Sequence, residues 1–150
     1  MVDVLRLSVA QTDDAGHPTG TIDFEVNGRD LRDIVREIES PFAEAEGHPQ
    51  LAGQYTGLPA SHLLPPSQHL FGQPTGAYGY TAKVTLLQCS CGEPGCWPLL
   101  ARVTTTADAV VWSEFEQPHR RGRWSYEKLG PFVFDRRQYE RAIETGSQAI

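Results

Sequence analysis

Between Glu46 and Lys83 the chain runs through residues 47–82 without one Asp, Glu, Lys or Arg. Six glycines, five prolines and three histidines (His48, His62, His69) fall inside that stretch. Proline removes a backbone donor and fixes φ, and glycine weakens helix and strand interiors. At this density neither a long helix nor a central strand fits, so residues 47–79 read as a long ordered loop or flap. Disordered segments usually carry high charge, and this one carries none. Long loops inside compact domains tend to be functional. Leu51, Tyr55, Leu58, Leu63, Leu64, Leu70, Phe71 and Tyr78 are available to pin it to the body.

The remaining charge lies on either side. Residues 1–50 hold eleven acids and four bases, and residues 101–150 hold seven acids and eight bases. The net charge of −6 argues against sequence-independent nucleic-acid binding. Counting glycine as apolar raises the 39% hydrophobic share to about 48%, an ordinary globular value. At 150 residues one domain with a sizeable core is expected. Apolar runs are only a few residues long, so no membrane span is expected. Met1–Arg6 has neither a basic n-region nor a long apolar run, which makes the cytoplasm the expected location.

Strand periodicity appears in Val4–Val9, with Leu5, Leu7 and Val9 on one face, and in Thr21–Val26, with Ile22, Phe24 and Val26 on one face. Asp13–Pro18 between them is turn chemistry, and Asn27-Gly28 is a tight turn or stop. Leu31, Ile34, Val35 and Ile38 make a helical stripe, with Asp30 as N-cap and Pro41 beyond its end. Lys83–Leu87, Leu99–Thr104 and Ala109–Phe115 read as three more strands, the last two joined as a hairpin. Asp135–Gln138 has the form of a capping box, opening a helix with Tyr139, Ala142 and Ile143 inward. The predicted fold is a two-layer α+β domain over residues 1–150. A mainly antiparallel sheet of about five strands carries two helices on one face and the long central loop.

All three cysteines lie within Cys89-Ser90-Cys91-Gly92-Glu93-Pro94-Gly95-Cys96. Alternate residues of a strand point the same way, so Cys89 and Cys91 can converge. Glu93-Pro94-Gly95-Cys96 suits a type II turn that returns Cys96 to them. Converging thiolates suit a soft or borderline cation, and zinc is the implied cofactor. His119 or a histidine of the central loop is the candidate fourth ligand. The usual zinc pattern pairs two knuckles, and only half of one is present. Two other readings stay open: three reduced thiols at a glycine turn, or nucleophilic and redox thiol chemistry. An odd count in a reducing compartment argues against a disulfide framework.

The second chemical feature is Gln117-Pro118-His119-Arg120-Arg121-Gly122-Arg123-Trp124. His119, Arg120, Arg121, Arg123 and Trp124 are candidate ligand-binding residues. Guanidinium groups grip carboxylates or phosphates, and an indole stacks on rings. A small anion or an acidic protein partner fits that chemistry. The competing reading pairs these arginines with acids of residues 1–50 and with Glu114 or Glu116. Trp97 and Trp112 are expected in the core. His17 is expected in a solvated turn. No phosphate-binding loop, dinucleotide fingerprint, Gly-x-Ser-x-Gly or His-Glu-x-x-His is present.

Three segments together resemble a group of small bacterial proteins of unknown function. They are Cys89–Leu99; Val111-Trp112-Ser113-Glu114-Phe115-Glu116-Gln117-Pro118-His119-Arg120; and Gly130–Phe134 followed by Gln138-Tyr139-Glu140. The resemblance covers residues 80–143. It implies a bacterial, cytoplasmic, single-domain protein and assigns no role to any residue.

The motifs favour a non-enzymatic binding or interaction protein. In it the cysteine loop is a zinc-bound staple beside the arginine arm, on the same side as the central loop. The enzyme alternative pairs Cys96 or Cys91 with His119, holds an anionic substrate on the arginines, and uses the central loop as a lid.

Overall fold

Alternating apolar residues make the first hairpin. In the computed structural model, which describes residues 2–14, 17–74, 76–80, 82–91, 93 and 95–148, β1 (Leu5–Asp14) pairs antiparallel with β2 (His17–Val26). Leu5, Ile22, Phe24 and Val26 are buried. Both strands outrun the sequence reading, because the ladder continues through Ala10↔Thr21 and Thr12↔Thr19 to Asp14↔His17. His17 is therefore a strand residue rather than part of a broad turn; its side chain, like that of His62, lies outside the described residues. Asn27 and Gly28, at φ 54° and 83°, form the tight turn into β3 (Arg29–Asp30). Two successive positive φ angles match the twist of a hairpin.

Asp30 then starts α1 (Leu31–Ala45), its carboxylate accepting from the Arg32 N–H at 2.8 Å. Pro41 was expected past the helix end but lies inside it. Its ring is exposed, and the turn that follows buries Ala43 and packs Phe42 against the core. Interior proline costs about 3 kcal/mol, and that packing offsets it. The terminal helix α3 (Arg136–Ser147) begins as expected, Asp135 accepting from the Gln138 N–H at 3.0 Å. The Gln138 amide turns instead to strand β1. It donates to the Leu5 carbonyl at 2.6 Å and accepts the Leu5 N–H at 3.0 Å. Tyr139 and Ile143 are buried as the stripe requires.

Residues 47–79 are not a bare loop. They contain β4 (Tyr55–Gly57), the single turn α2 (Ala60–Leu63) and three 3-10 turns, at Pro49–Leu51, His69–Phe71 and Gly76–Tyr78. β5 (Gly79–Tyr80) follows. Glycines and prolines keep each piece short without preventing it. Tyr55, Leu58, Leu63, Leu64, Leu70 and Tyr78 are buried, so the segment is core material. β4 and β5 both pair with β6 (Lys83–Cys89), along the edge opposite β7 (Leu99–Thr105). β7 forms the expected hairpin with β8 (Ala109–Glu116), and β8 pairs with β9 (Phe132–Asp135).

The α+β architecture is present, with its antiparallel strands divided between two sheets: β1-β2-β3 and β4-β6-β7-β8-β9, with β5 on β6. The division is incomplete. Asp3, just ahead of β1, exchanges bonds with Val133 of β9, both at 2.8 Å. On the other side the Ile22 N–H of β2 donates to the Leu58 carbonyl, one residue past β4, at 3.0 Å. The backbone path therefore runs from β4 through β6, β7, β8 and β9 to Asp3, across β1 and β2, and back to Leu58. Trp112 sits within it, packed edge-on to Phe24, Phe134 and Tyr139. Its indole donates to the Tyr139 hydroxyl at 3.0 Å. No helix among the described residues is long and apolar enough to cross a membrane.

Closure of this path depends on Gly57. A Cβ there would stand 1.9 Å from the Ile22 carbonyl oxygen. Gly57→Ala is expected to force the two strands apart and cost about 3 kcal/mol or more, at the upper end of overpacking penalties. Denaturant unfolding measures this, and a loss below about 0.5 kcal/mol, the scale of an ordinary surface change, would show that the contact is not required.

Candidate functional site

Cys89 ends β6, where its backbone faces Tyr55 of β4. The chain then turns back toward β7. The Cys91 N–H donates to the Cys89 sulfur at 3.4 Å. The Cys96 N–H donates to the Glu93 carbonyl at 3.3 Å, and Gly95 adopts φ 80°. This is the turn that the sequence implies, although Pro94 lies outside the described residues. The result is convergence: the Cys89, Cys91 and Cys96 sulfurs all lie within 4.8 Å of one another. All three are free thiols, Cys89 half-buried and the other two exposed. Such a group could hold a metal ion. Three sulfurs around tetrahedral zinc stand about 3.8 Å apart, given Zn–S bonds of about 2.3 Å, so a contraction of at most about 1 Å brings them to ligand spacing.

The thiols titrate differently. The Glu93 N–H, with help from the other two thiols, holds Cys91 below its ordinary value. Hydrogen bonding to Cys91 and then Cys89 pushes Cys96 up to about 12.

The arginine arm reaches the cysteine turn through a bulge in β8. Register shifts between Leu100 and Arg102 of the facing strand, and Glu114 takes φ 52°. The extra residue reverses the side-chain phase, so Val110 and Trp112 point inward and Phe115 and Gln117 follow them. Buried Gln117 caps the next turn, its carbonyl oxygen accepting from the His119 N–H at 3.2 Å. His119 Nε2 donates to the Gly95 carbonyl at 2.9 Å, and its ring lies parallel to Trp97 at 5.8 Å. His119 is therefore next to the thiol group but not within it. The shifts of Cys91 and Cys96 come from the turn itself and from one another, not from His119.

Arg120 stands between two indoles, 5.0 Å from the Trp97 ring centre and 5.6 Å from that of Trp124. Its Nε donates to both Glu46 oxygens at 3.1 and 3.2 Å. The Trp124 indole also donates to Glu46, which chiefly holds that carboxyl below its ordinary range. Trp124 is buried, so it is a structural wall and not an open stacking platform. Trp97 is only partly buried and serves the arm as well as the core. Arg121 pairs with Glu116 at 3.0 Å, and Arg123 donates to the His119 carbonyl at 3.0 Å. The internally paired reading of Arg120 and Arg121 matches these contacts. Of the central histidines, His69 is buried with Nε2 at 2.7 Å from the Thr85 carbonyl, while His48 is exposed near Arg120 and Trp124.

The sequence reading missed Glu39. It is fully buried, accepting from the Tyr55 hydroxyl at 2.6 Å, the Tyr126 hydroxyl at 2.5 Å and the Gly53 N–H at 2.8 Å. Gln117 donates to the same Tyr55 hydroxyl at 3.2 Å. The network ties α1, β4, the end of β8 and the residues after the arm together. Its signal was spacing: Leu31, Val35, Glu39 and Ala43 fall four apart on the buried face of α1.

Burial raises the Glu39 carboxyl above its ordinary 4.5, against the pull of its three donors. The folded chain then binds that proton more tightly than the unfolded chain. The associated stability is fully present below pH 4.5 and is lost as pH rises through the folded value. In Glu39→Gln, neutral throughout, this dependence disappears. Melting curves across pH should show wild-type stability falling relative to the variant above pH 4.5; parallel curves would refute the protonation. The arginines separate similarly. Arg120→Ala should cost about 1–2 kcal/mol from the lost indole and carboxylate contacts. Arg121→Ala, whose side chain is 69% exposed, should cost less than about 0.5 kcal/mol. Equal losses in denaturant titrations would contradict this difference.

Comparison with protein-family models, with curated proteins and with solved structures gave no match in any of the three.

Proposed function

We propose that the protein is a non-enzymatic binding domain whose Cys89, Cys91 and Cys96 hold a zinc ion as a staple across the β6–β7 connection. The convergence of three sulfurs within 4.8 Å carries the reading. Thiolates are soft donors that suit zinc, and two backbone N–H groups already point at sulfurs, supporting the negative charge. The cytoplasm would keep the thiols reduced. The exposed side chains of His119, Arg121 and Arg123 stand on the arm that docks on this turn, and they would give an acidic partner its first contacts.

A second reading has one observation in its favour. Cys91 is exposed and its thiol is held below the ordinary value, as a nucleophile requires. In that reading the protein is an enzyme acting on a small anionic substrate.

Cys91→Ser distinguishes them. Under the zinc reading the wild type purified without chelator carries one zinc per chain. The variant loses it, with a melting temperature lower by about 4–8 °C, equivalent to about 2 kcal/mol in a domain of this size. Metal-free wild type with one thiol reacting far faster than the others in native titration would overturn zinc in favour of thiol chemistry.

A further inference from the structure

A tetrahedral cation needs four ligands, and this turn offers three. Among the described residues no histidine, cysteine, aspartate or glutamate joins the three sulfurs. His119 lies beside the group and makes three contacts there. Its Nε2 is on the Gly95 carbonyl, its ring lies within 5° of parallel to Trp97, and its backbone N–H is on Gln117. Neither ring nitrogen of His119 falls within the group of three sulfurs. The exposure of Cys91 and Cys96 leaves their side of the group open to solvent. Structural zinc sites are closed by four protein ligands, and an open position is the mark of a site that exchanges a ligand.

From this we infer that the fourth position is an exchangeable binding site for a thiolate from outside the chain. The inference rests on the proposed metal site. Three thiolates outweigh the two charges of the cation and leave the centre with a net single negative charge. Such a centre acidifies bound water less than one ligated by neutral imidazoles, because its net charge is lower. Its three soft donors favour a fourth soft ligand. In the exchange the entering thiol gives its proton to solvent, its sulfur bonds to the metal, and a water molecule leaves. No electron is transferred. The thiolate comes either from a low-molecular-weight thiol or from a cysteine of a second copy of this chain.

Cobalt(II), which shares the tetrahedral preference and absorbs visibly, tests the inference on the full chain. Cobalt-loaded protein in thiol-free buffer is titrated with 2-mercaptoethanol. The expected result is a shift of the visible bands and stronger sulfur-to-metal absorption, saturating with added thiol, in wild type and His119→Ala alike. If a second copy supplies the ligand, the stronger absorption appears without added thiol and rises with protein concentration, in step with dimer formation by sedimentation. A cobalt spectrum indifferent to both thiol and protein concentration overturns the open position and leaves the metal site standing. A thiol-free spectrum changed by His119→Ala likewise assigns the fourth ligand to His119. Failure to take up cobalt or zinc at all overturns the underlying metal site.

Discussion

The close approach of Gly57 to the Ile22 carbonyl is the contact on which the rest of the backbone arrangement depends. It places Leu58 to accept the Ile22 N–H, so the first hairpin and the main sheet meet on that side. The bonds between Asp3 and Val133 join them on the other. With both junctions made, most strand edges are paired, and the aromatic cluster around Trp112 is enclosed. A side chain at Gly57 would meet backbone, which cannot move aside as a flexible side chain can. The contact therefore requires glycine at this end of β4.

The same segment connects fold to site. Tyr55 faces Cys89 across the β4–β6 ladder, and its hydroxyl is bonded to buried Glu39 and Gln117. Gln117 in turn holds the His119 N–H at the start of the arm. Thus the residue that starts the cysteine turn and the residue that caps the arm are both fixed relative to Tyr55. Arg120, between Trp97 and Trp124 and paired with Glu46, fastens the arm to the end of α1. The arm braces the cysteine turn through His119 and is fastened by Arg120, while the side chains of Arg121 and Arg123 stay exposed.

Much of this was legible in the chain. The periodicity of Leu5–Val9, Ile22–Val26 and Ala109–Phe115 marks strands because alternation has only one structural meaning at that length. Asp30 and Asp135 mark helix starts because their side chains satisfy N–H groups that have no other partner. The turn returning Cys96 to Cys89 and Cys91 follows from Pro94-Gly95. Less legible were β4, β5 and α2, each four residues or fewer, too short for any period to appear. The bulge at Glu114 was also hidden, since a left-handed glutamate has no sequence mark. Glu39 was hidden for the opposite reason: its position on the stripe was visible, but a carboxylate there reads as a surface residue until its three donors are seen.

By itself the sequence determined the class of the fold, the principal strands, the two amphipathic helices and the gathering of three thiols at one turn. Those depend on interactions between residues close in the chain, where spacing dictates geometry. The tertiary structure alone decided how the two sheets close on one another, that a charge-free segment is core rather than lid, and that His119 bonds a carbonyl beside the thiols. It also decided that Arg120 and Arg121 bond acids of the same chain. Each of those outcomes joins groups far apart in sequence, and several partners of the right charge or shape were available to every one of them. Only packing selects among such partners, because each group has a limited number of bonds to make and the whole set must be satisfied together.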